Sequence, residues 1–203
     1  MGGIINSTFD EVLRISWPTL FIAIVLIATI RIGYLIKHQE SFVFYKEMLY
    51  LFFMLYILCL FQVVTFQDDT SWASNNFIPF QEILRYKISS RLFVKNVLGN
   101  MIMFLPFGFF VSYYLKVEKI HLPLALTFIA SVSIELVQLA IGRVFDVDDI
   151  ILNLLGGSIG FFIYNILRII GESLPSFCRK EWFLNILSVI LFAGLIAMIV
   201  LVL

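Results

Sequence analysis

The chain alternates between long apolar runs and short polar connections. Six runs carry no charge or a single one, and each is long enough to cross a hydrocarbon core of about 30 Å as a helix. The runs lie between Arg14 and Lys37, Met48 and Phe66, Asn96 and Leu115, Ile120 and Gly142, Ile150 and Leu167, and Trp182 and Leu203. Because lipid cannot satisfy an open backbone, we expect an all-α polytopic integral membrane helical bundle of about six transmembrane helices.

Composition supports the membrane assignment and excludes whole classes of function. Hydrophobic residues make up 61% of the 203 residues and charged residues 14%, with a mean hydropathy of +1.00. A soluble domain averages about 45–50% apolar and about 25% charged residues. We therefore exclude a soluble enzyme, a disordered chain and a nucleic-acid binder. The two cysteines, Cys59 and Cys178, lie too far apart in the predicted bundle to form a disulfide.

The polar connections divide the chain into four segments. Residues 1–66 are expected to form two transmembrane helices, residues 67–95 a long loop, residues 96–170 three further helices and residues 171–203 a last one. The start of the chain has neither a basic region nor a small-residue cleavage site. We therefore expect the first helix to be retained rather than removed as a signal peptide.

Lysine and arginine residues in the connections predict how the bundle is oriented. One side of the predicted bundle collects eight basic residues and the other six, of which four lie in the 67–95 loop. Long loops carry less weight than short ones in this bias. The count therefore predicts a multi-pass protein of the cell membrane with both termini, and the 67–95 loop, outside the cytoplasm.

Nearly all polar groups inside the predicted helices fall at one depth near the outer face. A carboxylate within the membrane costs about 2.5–3.5 kcal/mol even on the lower insertion scales, and by default it marks function. We therefore interpret the polar residues at this depth, with those of the adjoining connection, as a candidate substrate-binding set. The set comprises Asn96, Asn100, Glu135, Gln138, Arg143, Asp146, Asp149 and Asn153.

Several of these polar residues also have a purely structural interpretation. Asp148 and Asp149 stand where an N-cap and a first-turn acid stabilise the start of a helix. Glu135 could be a polar anchor without further function. The spacing of Gly156 and Gly160 predicts a close helix contact, because small residues four apart let two backbones approach.

Glu135 and Asp146 are in addition the candidate catalytic pair, since two carboxyl groups can act as general acid and base. Asp146 and Asp149 are weak candidates for a metal site. The run from Asp146 to Asp149 lacks the mid-loop glycine and the bidentate glutamate of a complete calcium loop. We expect no cofactor.

The second half of the 67–95 loop combines an apolar stripe with basic residues. The stripe consists of Leu84, Ile88, Leu92 and Phe93. Arg85, Lys87 and Arg91 lie off the stripe, which is typical of an amphipathic helix on the membrane surface whose cations contact lipid phosphates. The alternative is a solvated basic loop.

Five ordered segments of the chain together resemble the VanZ-like family. They read NFIPF at 76–80, NVLGNMIMFLPFG at 96–108, ELVQ at 135–138, RVFDVDD at 143–149 and NLLGG at 153–157. The resemblance covers residues 76 to about 165. Leu154 departs from the threonine that the family pattern leads us to expect after the asparagine.

The resemblance implies a role at the outer leaflet of a Gram-positive plasma membrane. The founding member of the family is associated with low-level resistance to teicoplanin-type lipoglycopeptide antibiotics. The implied partners are therefore membrane lipids, a lipid-linked cell-wall precursor or the drug itself.

Three functions are compatible with these observations. The protein could bind a headgroup or the drug, act as a membrane enzyme on a phospholipid or isoprenoid-phosphate headgroup, or be a lipid transporter that uses Glu135 as its proton site. An obvious nucleophile and a clear internal repeat are both missing from the sequence. Binding is therefore the favoured hypothesis, and enzymatic activity is left open.

Overall fold

A computed structural model of the chain describes residues 3–66, 75–87 and 90–202. The helices are α1 (Gly3–His38), α2 (Phe44–Phe66), α3 (Gln81–Arg85), α4 (Gly99–Leu115), α5 (His121–Ala140), α6 (Val147–Ser173) and α7 (Glu181–Val202). A π-helical turn at Phe93–Leu98 leads into α4, and a 3-10 turn at Ser176–Arg179 precedes α7. The predicted all-α fold is confirmed.

Five stretches of the described chain are long and apolar enough to cross a membrane. They are Phe21–His38, Phe44–Gln62, Phe93–Leu115, His121–Ala140 and Val147–Ser173. The sixth predicted run coincides with α7, which is apolar over Glu181–Gly194. The helices thus follow the six apolar runs of the sequence, as expected of a polytopic membrane protein.

The helices belong to two compact units. The first unit consists of Met1–Gln62 and Leu174–Leu203, and the second of Val63–Ser173. The first unit therefore contains α1, α2 and α7. The second contains the short helix α3 and the three long helices α4, α5 and α6, with all of the candidate binding residues.

Ion pairs connect the helices of the first unit. The Arg31 guanidinium on α1 donates from Nε to Glu47 Oε2 on α2 (2.7 Å) and from Nη2 to Oε1 (3.0 Å). Lys46 Nζ lies 2.8 Å from Glu181 Oε1 at the start of α7. The end of α1 and the starts of α2 and α7 therefore lie at one end of this unit, as successive membrane crossings require.

Glycines hold α4 and α6 of the second unit in close contact. A Cβ atom at Gly156 would lie 2.1 Å from the Met101 carbonyl oxygen, and one at Gly160 would lie 2.1 Å from that of Leu105. Any side chain at these positions would collide with backbone, so only glycine permits this approach. The predicted contact through Gly156 and Gly160 is confirmed.

The ends of α5 and α6 define the two ends of the second unit. The helix α5 stops at Ala140, and Gly142, whose φ of +86° suits glycine, turns the chain. At the opposite end, Arg168 near the end of α6 pairs with Glu118 in the connection before α5 (3.0 Å). The polar connection 141–146 therefore lies at the end of the unit where α5 stops and α6 begins.

The predicted amphipathic segment is not a single helix. The helix α3 ends at Arg85, and Tyr86 adopts an extended conformation with φ −86° and ψ 130°. Helical structure resumes at Arg91 and continues into α4. Of the predicted stripe, Ile88 lies outside the described residues, as do residues 67–74 of the loop. Contacts to α6 and to the π-helical turn, described below, interrupt the helix at Tyr86.

Candidate functional site

A chain of hydrogen bonds joins the end of α5 to the start of α6. Glu135 is 1% exposed, and its Oε2 accepts a hydrogen bond from the backbone N–H of Asp146 (2.9 Å). When the Gln138 amide is turned to satisfy both of its atoms, its nitrogen donates to Glu135 Oε1 (2.9 Å) and its oxygen accepts from Arg143 Nη1 (3.0 Å). Consecutive hydrogen bonds thus link four of the predicted site residues in the order Arg143, Gln138, Glu135 and Asp146.

Two further polar pairs link α6 with its neighbours. Asn100 Nδ2 on α4 donates to Asp149 Oδ1 in the first turn of α6. One turn further along α6, Asn153 Nδ2 donates to Ser131 Oγ on α5 (2.9 Å). Asn153 is 3% exposed, and its buried Oδ1 has no hydrogen-bond partner among the described residues. The polar groups therefore form consecutive layers at one end of the three-helix core.

A segment from the preceding loop is held against the start of α6. We call residues 75–86 the strap. The backbone of Asn76 pairs with that of the 141–146 connection, donating to the Phe145 carbonyl (2.9 Å) and accepting from the Val147 N–H (3.1 Å). Its side-chain Nδ2 also donates to Asp146 Oδ1 (2.8 Å). The strap therefore covers the part of α6 where the carboxyl groups are concentrated.

Asp148 holds the strap rather than capping its own helix. Its carboxylate is 1% exposed and accepts from the N–H groups of Phe80 (2.5 Å), Glu82 (2.7 Å) and Ile83 (3.1 Å) at the start of α3. The N-cap of α6 is instead Asp146, whose Oδ1 accepts from the Asp148 N–H (2.8 Å). The N-cap interpretation of Asp148 is therefore wrong, because α6 begins at Val147 and the Asp148 carboxylate accepts from N–H groups of the strap. Asp148 and Asp149 are both acids of the first turn of α6, as the structural interpretation expects for Asp149.

Asn96 is attached to the strap and not to the carboxyl groups. It lies in the π-helical turn before α4, and its Nδ2 donates to Tyr86 Oη (2.9 Å). The Tyr86 hydroxyl in turn donates to Glu82 Oε2 (3.4 Å). Burial raises the pKa of the Tyr86 phenol, which keeps it protonated as this donor. Asn96 thus fixes the C-terminal end of the strap.

The three predicted headgroup-contacting cations are exposed. Arg85 is the last residue of α3, Lys87 follows the strap, and Arg91 opens the helical segment that leads into α4. Arg85 Nη1 lies 3.1 Å from Glu82 Oε1, so a neighbouring carboxylate partly compensates its charge. Contact between these cations and lipid phosphates remains a prediction.

The site contains more carboxyl groups than cations. The Arg143 guanidinium lies close enough to Glu135 and Asp149 to influence both electrostatically, and the Asp146 charge acts on the same two groups. In the connection outside the helices, burial raises the pKa of Asp146, and the charges of Asp148 and Glu82 add to this effect. Hydrogen bonds from Asn76 and the Asp148 N–H oppose it. Asp146 therefore holds its proton to a higher pH than an ordinary aspartate.

The arrangement of these carboxyl groups does not resemble a metal centre. Across the described ranges, no three histidine, cysteine, aspartate or glutamate side chains are placed to hold one ion. Asp146 and Asp149, the weak metal candidates, therefore have no third ligand of these types in the described chain. What the site does offer is a set of hydrogen-bond acceptors with negative charge.

Sequence reasoning did not select the residues through which the strap joins the site. Asn76 and Tyr86 contact Asp146 and Asn96 of the predicted set, and Glu82 contacts the neighbouring Asp148, but the sequence singled out none of the three as a functional residue. Asn76 belongs to the segment 76–80 that resembles the VanZ-like family, and this resemblance is the one feature of the sequence that could have drawn attention to it. Its bonding partner is 70 residues further along the chain, so the pairing itself could not be inferred from local pattern.

Comparison with known proteins gives one result. Residues 48–168 match the sequence profile of the VanZ/LLP1 family. No curated protein and no solved structure gives a significant match. The matched region makes up more than half of the chain and includes α4, α5, most of α6 and the strap. The resemblance noted in the sequence is thereby confirmed: the chain belongs to the VanZ/LLP1 family.

Proposed function

We propose that this membrane protein binds a polar headgroup at the outer face of a Gram-positive plasma membrane, and so contributes to resistance against teicoplanin-type lipoglycopeptides. The ligand would be a lipid headgroup, a lipid-linked cell-wall precursor or the drug. The observation that carries the proposal is the fully buried Glu135 inside a membrane-spanning helix, with Asp146 and Asp149 beside it. A carboxyl group inside a membrane-spanning helix by default indicates function, because its burial is costly.

The hydrogen bonds around the site support binding. Glu135, Asp146 and Asp149 each accept a hydrogen bond that fixes the position of the carboxyl group. A ligand that meets groups already held in place loses less conformational entropy on binding. Arg85 on the strap and Lys87 directly after it add exposed cations near this acidic site, which suits a ligand with both an anionic and a hydrogen-bond-donating part.

The proposal includes an orientation in which both termini are outside the cytoplasm, which puts the strap at the outer face. After Cys59 and Cys178 are replaced, we expect a cysteine at Gln81 to react with an impermeant maleimide in intact cells. A cysteine at Glu118, at the opposite end of the second unit, should react only after permeabilisation. The reverse labelling pattern would move the site to the cytoplasmic face.

Enzymatic action on a headgroup is the second candidate. The raised pKa of Asp146 is the property that a general acid needs, and Glu135 is connected to Asp146 through the backbone N–H. This candidate predicts that the purified protein converts a labelled phospholipid or isoprenoid phosphate. Turnover that Glu135→Gln abolishes would establish it in place of simple binding.

Drug susceptibility tests the proposed function in cells. We expect Glu135→Gln and Asp146→Asn each to remove the teicoplanin resistance that the wild-type protein confers, and the double variant to be no worse than either. Residues that act as one unit give such non-additive losses. Glu118→Gln is the matched control, because it changes an exposed acid at the other end of the same unit. Full resistance with Glu135→Gln, at equal protein levels in the membrane, would refute the proposal.

A further inference from the structure

Carboxylate oxygens are the most numerous polar atoms that the site offers to a ligand. Glu135, Asp146 and Asp149 contribute them, whereas the one cation that acts on Glu135 and Asp149 among the described residues, Arg143, also donates to the Gln138 amide oxygen. Buried negative charge is stable only when it is paired with positive charge or hydrogen-bond donors. A ligand that enters this site is therefore expected to bring positive charge and N–H donors.

Asn153 provides an independent indication of a ligand at the same place. It is 3% exposed, and its Oδ1 lacks a hydrogen-bond partner within the described chain, which is uncommon for a buried polar atom. Side chains of an α-helix slant toward its N-terminus. Because α6 begins at the site, Asn153 slants toward Asp149, and because α5 ends there, Glu135 slants back toward Ser131. Asn153 and its partner Ser131 each lie one helical turn from a carboxyl group, so the unsatisfied Oδ1 belongs to the layer directly next to those groups.

The kinds of acceptor at the site distinguish between kinds of cation. Calcium and magnesium ions draw several oxygens to within about 2.0–2.6 Å of one point. No three histidine, cysteine, aspartate or glutamate side chains in the described ranges are placed to hold one such ion. An ammonium group bonds at about 2.7–2.9 Å and presents three N–H donors in different directions, which suits acceptors contributed by both α5 and α6.

We infer that the site binds the primary ammonium group of an aminated lipid headgroup, with Glu135, Asp149 and Asn153 Oδ1 as acceptors. This inference rests on the proposed headgroup binding and names the class of headgroup. The lipid source follows from the location, since the acceptors lie on helices that span the membrane. The exposed cations that follow the strap, Lys87 and Arg91, are available to the phosphate of the same headgroup.

Blocking the amine of one lipid tests the inference on the wild-type protein. Native mass spectrometry of the purified full chain would compare phosphatidylethanolamine, its N-acetylated form and phosphatidylglycerol. We expect phosphatidylethanolamine to bind at least about tenfold more tightly than either of the others, as one lost charge-assisted contact would give. Equal affinity for the free and the acetylated amine would overturn the ammonium inference and leave headgroup binding intact. Absence of binding by all three lipids would overturn phospholipid headgroup binding as a whole, and with it the ammonium inference.

Two variants test whether the preference for the free amine of phosphatidylethanolamine arises at Glu135 and Asp149. Glu135→Gln and Asp149→Asn should each lower the affinity for phosphatidylethanolamine about tenfold or more and leave that for the acetylated lipid unchanged. In Asp149→Asn the new Oδ1 still accepts from Asn100, so this variant keeps the helix contact even if Glu135→Gln folds poorly. Glu118→Gln should retain the wild-type preference. A preference that survives both site variants would also overturn the inference.

Discussion

Arg31 on α1 and Glu135 on α5 are both charged residues within membrane-spanning helices, but their surroundings differ. Arg31 forms two hydrogen bonds with Glu47, and the rings of Tyr34 and Tyr50 lie 5.1 Å and 5.5 Å from its guanidinium carbon. Its charge is therefore compensated within the first unit. Glu135 is bonded to a backbone N–H and a neutral amide, while Asp146 adds negative charge beside it and Arg143 adds positive charge.

The difference indicates what each charge is for. In the first unit, ion pairs connect helices, so the charges stabilise the fold. In the second unit, close backbone contact at Gly156 and Gly160 connects α4 with α6. Its carboxyl groups add hydrogen bonds to a contact that the glycines already make. A charge in a membrane helix therefore indicates a functional site when its neighbours compensate it only in part, and a structural role when a direct ion pair neutralises it.

The largest effect is expected where glycine holds the second unit together. Gly160→Ala places a Cβ 2.1 Å from a backbone oxygen that cannot give way, and should destabilise the protein by about 3 kcal/mol or more. Gly171→Ala on the same helix is the matched control, because nothing lies within 4 Å of that Cβ. It should be neutral or stabilising by up to about 1 kcal/mol. Thermal unfolding in detergent measures both, and equal effects would contradict the glycine contact.

Breaking the ion pair of the first unit should have the next largest effect. Arg31→Met leaves the Glu47 side chain, which is 13% exposed, without its bidentate partner. We expect the free energy of unfolding to fall by about 3 kcal/mol. This is the lower end of the range for buried pairs, because the Arg31 side chain is 30% exposed. Replacing both residues with methionine should recover most of the loss, and headgroup binding should be unchanged in either variant. Loss of binding in the double variant would contradict the division of roles.

A smaller and pH-dependent effect is expected at Asp146. Its pKa is raised in the folded protein, so folding favours the protonated form. This contribution to stability is fully present below the unfolded pKa of about 3.9 and is lost as the pH rises through the raised value. Asp146→Asn should flatten the pH dependence in that window, because the amide oxygen still accepts from Asn76 and the Asp148 N–H.

Asp146→Ala provides the comparison for that pH series. This variant removes the hydrogen bonds from Asn76 and from the Asp148 N–H as well as the charge. It should lower the free energy of unfolding by about 1–2 kcal/mol at every pH, because α6 loses its N-cap. Melting temperatures recorded from acidic to neutral pH distinguish the two variants. An unchanged pH profile in Asp146→Asn would show that Asp146 does not titrate with a raised pKa.

The smallest effect concerns the exposed cations. Each lysine or arginine near an anionic surface contributes about 1 kcal/mol. Lys87→Gln should weaken binding to phosphatidylglycerol vesicles by about this amount, and Arg85→Gln by less, because Glu82 already lies 3.1 Å from its guanidinium. High salt should remove the difference by screening. Equal losses at low salt would mean that the pairing of Arg85 with Glu82 does not persist at the membrane.

Much of the fold could be predicted from the sequence because the relevant physics is local. Apolar runs of sufficient length form helices in lipid wherever they occur, and the structure has helices at all six. The spacing of Gly156 and Gly160 likewise predicts a close contact without knowledge of the partner helix. The depth of Glu135 follows from its position five residues before the end of α5.

The organisation of the site could not be predicted, because it depends on contacts between distant segments. Asp148 looks like a helix cap in the sequence, but its carboxylate binds N–H groups 65–68 residues earlier in the chain. The same bonds start α3, and the bond from Asn96 holds the extended Tyr86 that follows α3. The apolar stripe at 84–93 therefore predicted one continuous helix, whereas these tertiary contacts end α3 at Arg85 and leave Tyr86 extended.

Ligand-induced thermal stabilisation tests most directly whether Glu135 serves binding and not the fold. The melting temperatures of the wild type and Glu135→Gln would be measured with and without phosphatidylethanolamine, since a ligand that binds only the folded state raises the midpoint. We predict nearly equal midpoints without lipid, within about 3 °C, and a rise with lipid in the wild type alone. A variant that melts far below the wild type but retains the full rise with lipid would contradict the account.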